Sequence, residues 1–143
     1  MRLELTRRTD YAIRAMLALA REGGCQSTPV IAAAMKIPIR FLPQVMGDLT
    51  RAGLVRSTAG RQGGYELIPL PASIALLTII EAVERDTRRR TRILRGGPCQ
   101  RDGICDAHEP FGAAQDVFRA TLAAVSLARL AGAPESAETG SPT

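Results

Sequence analysis

Apolar residues recur at three- and four-residue intervals along the first third of the chain, and that spacing predicts helices. Over residues 9–21, Ile13, Met16, Leu17 and Ala20 share one face, Thr9 stands where an N-cap is needed, and Gly23-Gly24 marks the stop. Thr28-Pro29 reads as a cap followed by proline at the first helical position, opening a short helix over 29–35. Lys36-Ile37-Pro38-Ile39 has room only for a tight turn. A third helix is expected from Arg40 to Ala52, with Leu42, Val45, Met46 and Leu49 inward, Pro43 in the tolerant first turn and Gly53 as its stop. Two short helices joined by four residues outline a helix–turn–helix.

The period then changes. Residues 54–58 and 65–68 have strand character around the glycine-rich Ala59-Gly60-Arg61-Gln62-Gly63-Gly64, the pattern of a hairpin, and a hairpin after a helix–turn–helix is a wing. Pro69 and Pro71 close the unit, and Ser73 is placed to cap a helix over 74–85 bearing Ile74, Leu77, Ile80 and Val83. A long connection, 86–108, precedes the longest expected helix, 109–130, whose stripe is Phe111, Ala114, Phe118, Leu122 and Val125. Residues 131–143 have the composition of a disordered tail. The expected fold is mainly α with a small β-hairpin wing. Its parts are a winged helix–turn–helix over 1–85 (DNA-binding unit 1–70), a cysteine-containing sensor loop over 86–108, and a C-terminal dimerisation helix over 109–130. That stripe is too large to bury within so small a domain, so a second copy is its expected partner, making a homodimer.

Charge changes the picture more than composition does. Ten of the 19 Lys/Arg and five of the 14 Asp/Glu lie in residues 1–70, which leaves nine of each beyond, so the whole excess of +5 belongs to the first half. Basic excess confined to one segment suits a polyanion, although an Arg-biased genome would also produce it. No apolar run approaches the roughly 20 residues of a membrane span. The start, Met1-Arg2-Leu3-Glu4-Leu5, lacks the apolar stretch of a signal peptide, so a cytoplasmic protein without a membrane partner is expected. Arg40, Phe41, Gln44 and Asp48 are assigned to the outward face of the third helix. Arg suits guanine and Gln suits adenine in the major groove of double-stranded DNA. Arg61 at the wing tip suits a minor groove or a phosphate, and Arg7, Arg8 and Arg56 are generic phosphate candidates. The expected DNA contacts are thus Arg40, Phe41, Gln44, Arg56 and Arg61. A twofold dimer would present two such helices to a palindromic operator. One histidine, no phosphate-binding glycine loop and no paired carboxylates argue against an enzyme.

Three cysteines make a disulfide framework unexpected. Cys25 is expected to pack as a small apolar residue. Cys99, Cys105 and His108 lie together on one loop. By spacing they are ligands for an iron–sulfur cluster or zinc, or else two free thiols beside a chance histidine.

Several stretches together resemble the IscR/NsrR family of winged-helix regulators: MRLELTRRTDYAIRAMLALA, IPIRFLPQVMGDLTRAGLV, GRQGGYEL and LTIIEAVE, followed by the cysteine loop and a final amphipathic helix. The resemblance covers nearly the whole chain to about residue 130. It implies a transcription regulator, most simply a repressor, that holds an iron–sulfur cluster on three loop cysteines plus a variable fourth ligand. Cys99 and Cys105 match the second and third loop cysteines, His108 a histidine ligand of some members, and Asp10 a first-helix carboxylate that reaches the partner's site in others. The first loop cysteine is missing, because Ile93 or Leu94 stands there. The implied set of Cys99, Cys105, His108 and the partner's Asp10 would suit a 2Fe–2S rather than a 4Fe–4S cluster, with zinc or no metal as alternatives. Ala59 stands where the family carries a wing arginine, and Pro43 where it often has a polar residue, so a different operator is expected. Two other readings remain open: the same DNA-binding fold responding by thiol oxidation, and a winged-helix interaction module that binds no DNA.

Overall fold

The computed structural model describes residues 4–84 and 108–132, with His108 by its backbone alone. The element order is α1 (Arg7–Glu22), α2 (Thr28–Met35), a 3-10 turn (Ile39–Phe41), α3 (Leu42–Arg51), β1 (Val55–Thr58), β2 (Gly64–Leu67), a second 3-10 turn (Pro71–Ser73), α4 (Leu76–Val83), α5 (His108–Ala123) and α6 (Leu127–Leu130). Every expected element over these residues has a counterpart, with differences at the ends and a break within the C-terminal helix. Residues 85–107, with Cys99 and Cys105, lie outside the described residues. Of the tail expected over 131–143, only Ala131 and Gly132 are described.

The cap of α1 is Thr6, not Thr9. The Thr6 Oγ1 accepts from the Thr9 backbone N–H at 3.2 Å, while Thr9 lies one turn inside the helix and fully buried. A buried hydroxyl must find a partner. That of Thr9 donates to Glu84 Oε1 at 2.5 Å, and that of Thr6 reaches the same oxygen at 2.9 Å. A carboxylate at a helix N-terminus also meets the positive end of the helix dipole. Glu84, just beyond α4, thereby ties the start of α1 to the end of α4.

The core forms where α1, α3 and α4 meet. Ala12, Ala15, Met16 and Leu19 of α1 pack with Ile31, with Leu42, Met46 and Leu49 of α3, and with Ile79 and Val83 of α4. Small residues on α1 let the helices approach closely, which is how a chain with no Trp and only 3% aromatics closes its interior. Burying each Leu, Ile or Met fully contributes about 1.5–3 kcal/mol.

The C-terminal helix departs from expectation. The helix expected over 109–130 is two, because the chain leaves helical geometry after Ala123. Val125 O accepts from Leu76 N and Leu127 N donates to Ile74 O, each at 2.8 Å, a short bridge beside the second 3-10 turn. Ser126 then caps α6 by accepting from Arg129 N at 3.1 Å, and α6 buries Leu127 completely against the core. Of these two helices, α5 is the one that leaves large apolar side chains exposed. Ser73 caps nothing helical, since its hydroxyl donates to Leu70 O at 2.7 Å and α4 starts after Ala75. Cys25 is exposed rather than packed inside, with its Sγ 3.9 Å from Gln62 O.

Candidate nucleic-acid interface

Helix α2, the turn and α3 form the helix–turn–helix. Lys36 ends α2 in the left-handed region (φ +54) and sends the chain round to Ile37, which is buried. Arg40 sits on the 3-10 turn that leads directly into α3, and Pro43 and Gln44 follow on its first turn, all exposed. Neither Arg40 nor Arg61 is paired with a carboxylate among the described residues. Their donors are available to a nucleic acid.

Phe41 is half-buried. Its ring stacks on Tyr11 of α1, with centroids 5.5 Å apart and planes at 28°. The Arg40 guanidinium lies over the same ring at 4.8 Å. Tyr11 in turn carries the Arg14 guanidinium at 5.5 Å. Among candidate contacts, then, Arg40 and Gln44 present polar groups outward, while Phe41 joins α3 to α1.

Asp48, expected on the outward face of α3, lies inside instead, 5% exposed, with one oxygen on Arg8 of α1 and the other on Arg51. A carboxylate can be held there only because two guanidinium groups compensate its lost hydration. Arg8 is therefore committed to the fold, and its Nε is buried with no partner.

The wing is an antiparallel hairpin in the register Val55↔Leu67, Arg56↔Glu66, Ser57↔Tyr65 and Thr58↔Gly64. Arg56 and Glu66 face each other, Nε to Oε1 at 3.0 Å and Nη2 to Oε1 at 2.5 Å, so Arg56 offers phosphate a partly neutralised charge. Arg61 stands second in a tight turn closed by Gly63 N to Gly60 O at 3.0 Å, at the far tip. The wing is docked on the body by a pair of backbone bonds, Gln26 N to Tyr65 O at 2.9 Å and Tyr65 N to Gln26 O at 2.8 Å. This approach requires glycine at 64, where a Cβ would lie 2.1 Å from Gln26 O.

The cluster implied by the resemblance is tested at one ligand. Asp10 gives both carboxylate oxygens to Arg14, which also donates to Met35 O at 3.1 Å. That hydrogen bond with Asp10 is the main reason the Arg14 pKa is raised. Among the described residues no three His, Cys, Asp or Glu side chains group as ligands. Ile93 and Leu94 supply no donor either. Cys99 and Cys105 lie outside the described residues, and Asp10 would reach such a site only from a partner subunit.

A two-helix reader with an unpaired arginine at its start, followed by a docked wing with an unpaired arginine at its tip, defines a winged helix–turn–helix DNA-binding transcription regulator. The comparisons with known proteins agree. The family model Rrf2, described as an iron-dependent transcriptional regulator, matches residues 5–133, and the chain belongs to that family. It is 30% identical over 135 residues to the HTH-type transcriptional regulator NsrR of Geobacillus kaustophilus, covering 90% of this chain and 89% of that one. Against protein aau3 of Rhizobium meliloti it is 40% identical over 84 residues, 57% of this chain and 54% of the other. For such relatives the chain spans about half of their length. Among solved structures it resembles CymR, the global cysteine regulator of B. subtilis, with a TM-score of 0.75, 26% identity and coverage of 92% and 98%. The family model, NsrR and CymR are all described as regulators, and this chain is likewise a transcription regulator and not an enzyme. No helix among the described residues is long and apolar enough to cross a membrane.

Proposed function

We propose that the protein is a homodimeric repressor that reads a palindromic operator in double-stranded DNA with Arg40 and Gln44 of two recognition helices and steadies the complex with Arg56 and Arg61 of two wings. The observation that carries the dimer is α5. Phe111, Val117 and Phe118 are 43%, 66% and 47% exposed, on a helix whose lower end is fixed to the domain by Arg119 to Glu81 at 2.5 Å. Phe111 and Phe118, seven residues apart, share one face of α5, and exposed aromatic side chains on one helix face mark an interface that a second copy of the same helix would cover. The signal enters through the segment carrying Cys99 and Cys105, between α4 and α5 and so between reader and dimer helix, with His108 at the first position of α5. The test is Phe118→Glu in equilibrium sedimentation and DNA titration. It should give a folded monomer with operator affinity reduced at least about tenfold, because the second half-site no longer assists the first. A Phe118→Glu protein that remains dimeric and binds as before refutes the dimer helix.

An iron–sulfur cluster in that segment is the second reading, favoured by the family's description as iron-dependent. Its donors would be Cys99, Cys105 and His108 with Asp10 of the partner subunit, which would have to release its exposed pairing with Arg14. Anaerobic purification with iron, sulfide and zinc quantitation decides it. Iron and sulfide near stoichiometry favour the cluster, zinc favours a structural site, and no metal favours response through the thiols.

A further inference from the structure

We infer that Phe41, backed by Tyr11, is a positioning residue for Arg40 and not a DNA contact, so that base discrimination at the Arg40 position depends on an aromatic ring that touches no base. The inference rests on the reading of Arg40 as a base-reading arginine and deepens it. An exposed arginine side chain has many rotamers, and a bidentate contact with one guanine requires one of them. Here the guanidinium lies over the Phe41 ring at 4.8 Å. The ring is not free to follow it, being half-buried and stacked on Tyr11 at 5.5 Å. Tyr11 is itself held on a helix by the core beneath it and by Arg14, which is anchored to Asp10 and to the last carbonyl of α2, Met35 O. The platform thus joins α1, the end of α2 and the turn into α3.

The chemistry of stacking suits this task. A guanidinium stacks through its face, while it pairs with guanine O6 and N7 through N–H groups in its plane. A guanidinium resting on the Phe41 ring by its face occupies none of the donors that recognition uses, and the contact orders the group before DNA arrives. Phenylalanine has no donor or acceptor of its own, so it contributes no hydrogen-bond readout.

The experiment is a double-mutant cycle on the full chain. The preferred site is first selected from a random DNA pool. Affinity is then measured for that site, for the same site with the guanine replaced, and for calf-thymus DNA. Arg40→Ala should lose about five- to 150-fold of the discrimination at that guanine. Phe41→Leu should lose about two- to fivefold per half-site, the range of an exposed cation–π contact, with calf-thymus binding unchanged. Phe41→Tyr, which keeps the ring, should retain discrimination. In the Arg40→Ala background Phe41→Leu should cost nothing further. If Phe41→Leu does not fold, Tyr11→Leu, which leaves the Phe41 ring in place and loosens it, should show the same loss to a smaller degree. A Phe41→Leu effect that persists in the Arg40→Ala background, or full discrimination in both Leu variants, overturns the positioning role. Unchanged discrimination in Arg40→Ala alone overturns the reading on which it rests.

Discussion

Replacing Asp48 by alanine should destabilise the protein and weaken DNA binding, although the change removes a negative charge from the recognition helix. Asp48 is 5% exposed and binds Arg8 and Arg51 through separate oxygens. Arg51 is 66% exposed, and an exposed pair contributes less than about 1 kcal/mol. Arg8 is 34% exposed, with its Nε buried and unpaired, so losing the carboxylate strands a largely desolvated cation. Breaking a fully buried pair costs about 3–5 kcal/mol, and the remaining exposure of Arg8 brings this to about 2–3 kcal/mol. For a domain of this size each kcal/mol moves Tm by about 4 °C, so Asp48→Ala should melt about 8–12 °C lower. Circular dichroism during heating measures this directly. Arg8→Met should cost a similar amount, and the pair Asp48→Leu with Arg8→Met should recover most of the loss, because no buried unpaired charge remains and Arg51 is exposed. If Asp48 faced the phosphates, its removal would leave Tm unchanged and tighten DNA binding. That result would refute the buried clamp.

Leu127→Ala should cost about 2–5 kcal/mol, as expected of a large-to-small change at a fully buried site, and chemical denaturation reads it. A cost under about 0.5 kcal/mol would mean that α6 is not seated in the core. Gly64→Ala places a Cβ 2.1 Å from Gln26 O, so it should undock the wing, with faster amide exchange at Gln26 and Tyr65 and weaker operator binding. Unchanged exchange at those two amides would contradict the docking. Arg61→Ala should lower affinity for all sequences alike and make the slope of log K against log salt shallower by about 0.9 for each phosphate that Arg61 neutralises. A weakening confined to one operator sequence would instead make Arg61 a base reader.

The reader was legible in the sequence because local rules govern it. The spacing of Leu42, Val45, Met46 and Leu49 marks the buried face of α3, and a six-residue glycine-rich stretch between two short apolar runs marks the wing. What periodicity does not carry is the identity of a distant partner. Asp48 lies where a helical wheel leaves a polar residue at the boundary, and only Arg8, 40 positions earlier, turns it inward. Leu122 and Val125 continue the apolar spacing of α5, so nothing local announces that backbone bonds to Ile74 and Leu76 break the helix there. Thr6 and Thr9 are equally plausible caps by residue type, and Glu84, from the far end of α4, engages both. Asp10 and Arg14 were visible as a helical pair four residues apart, a spacing that by itself warns that the carboxylate already has a cation. The aromatic platform was harder to see, since Tyr11 and Phe41 come from separate elements and only their packing makes them one unit.

The most direct test of the central claim is selection of the protein's preferred site from random double-stranded DNA, followed by the mass of the saturated complex in solution. The account predicts an inverted repeat whose half-sites are centred about one helical turn apart, or a multiple of it, and two chains bound per site. A single unrepeated element occupied by one chain, or no enrichment over calf-thymus DNA, would contradict it.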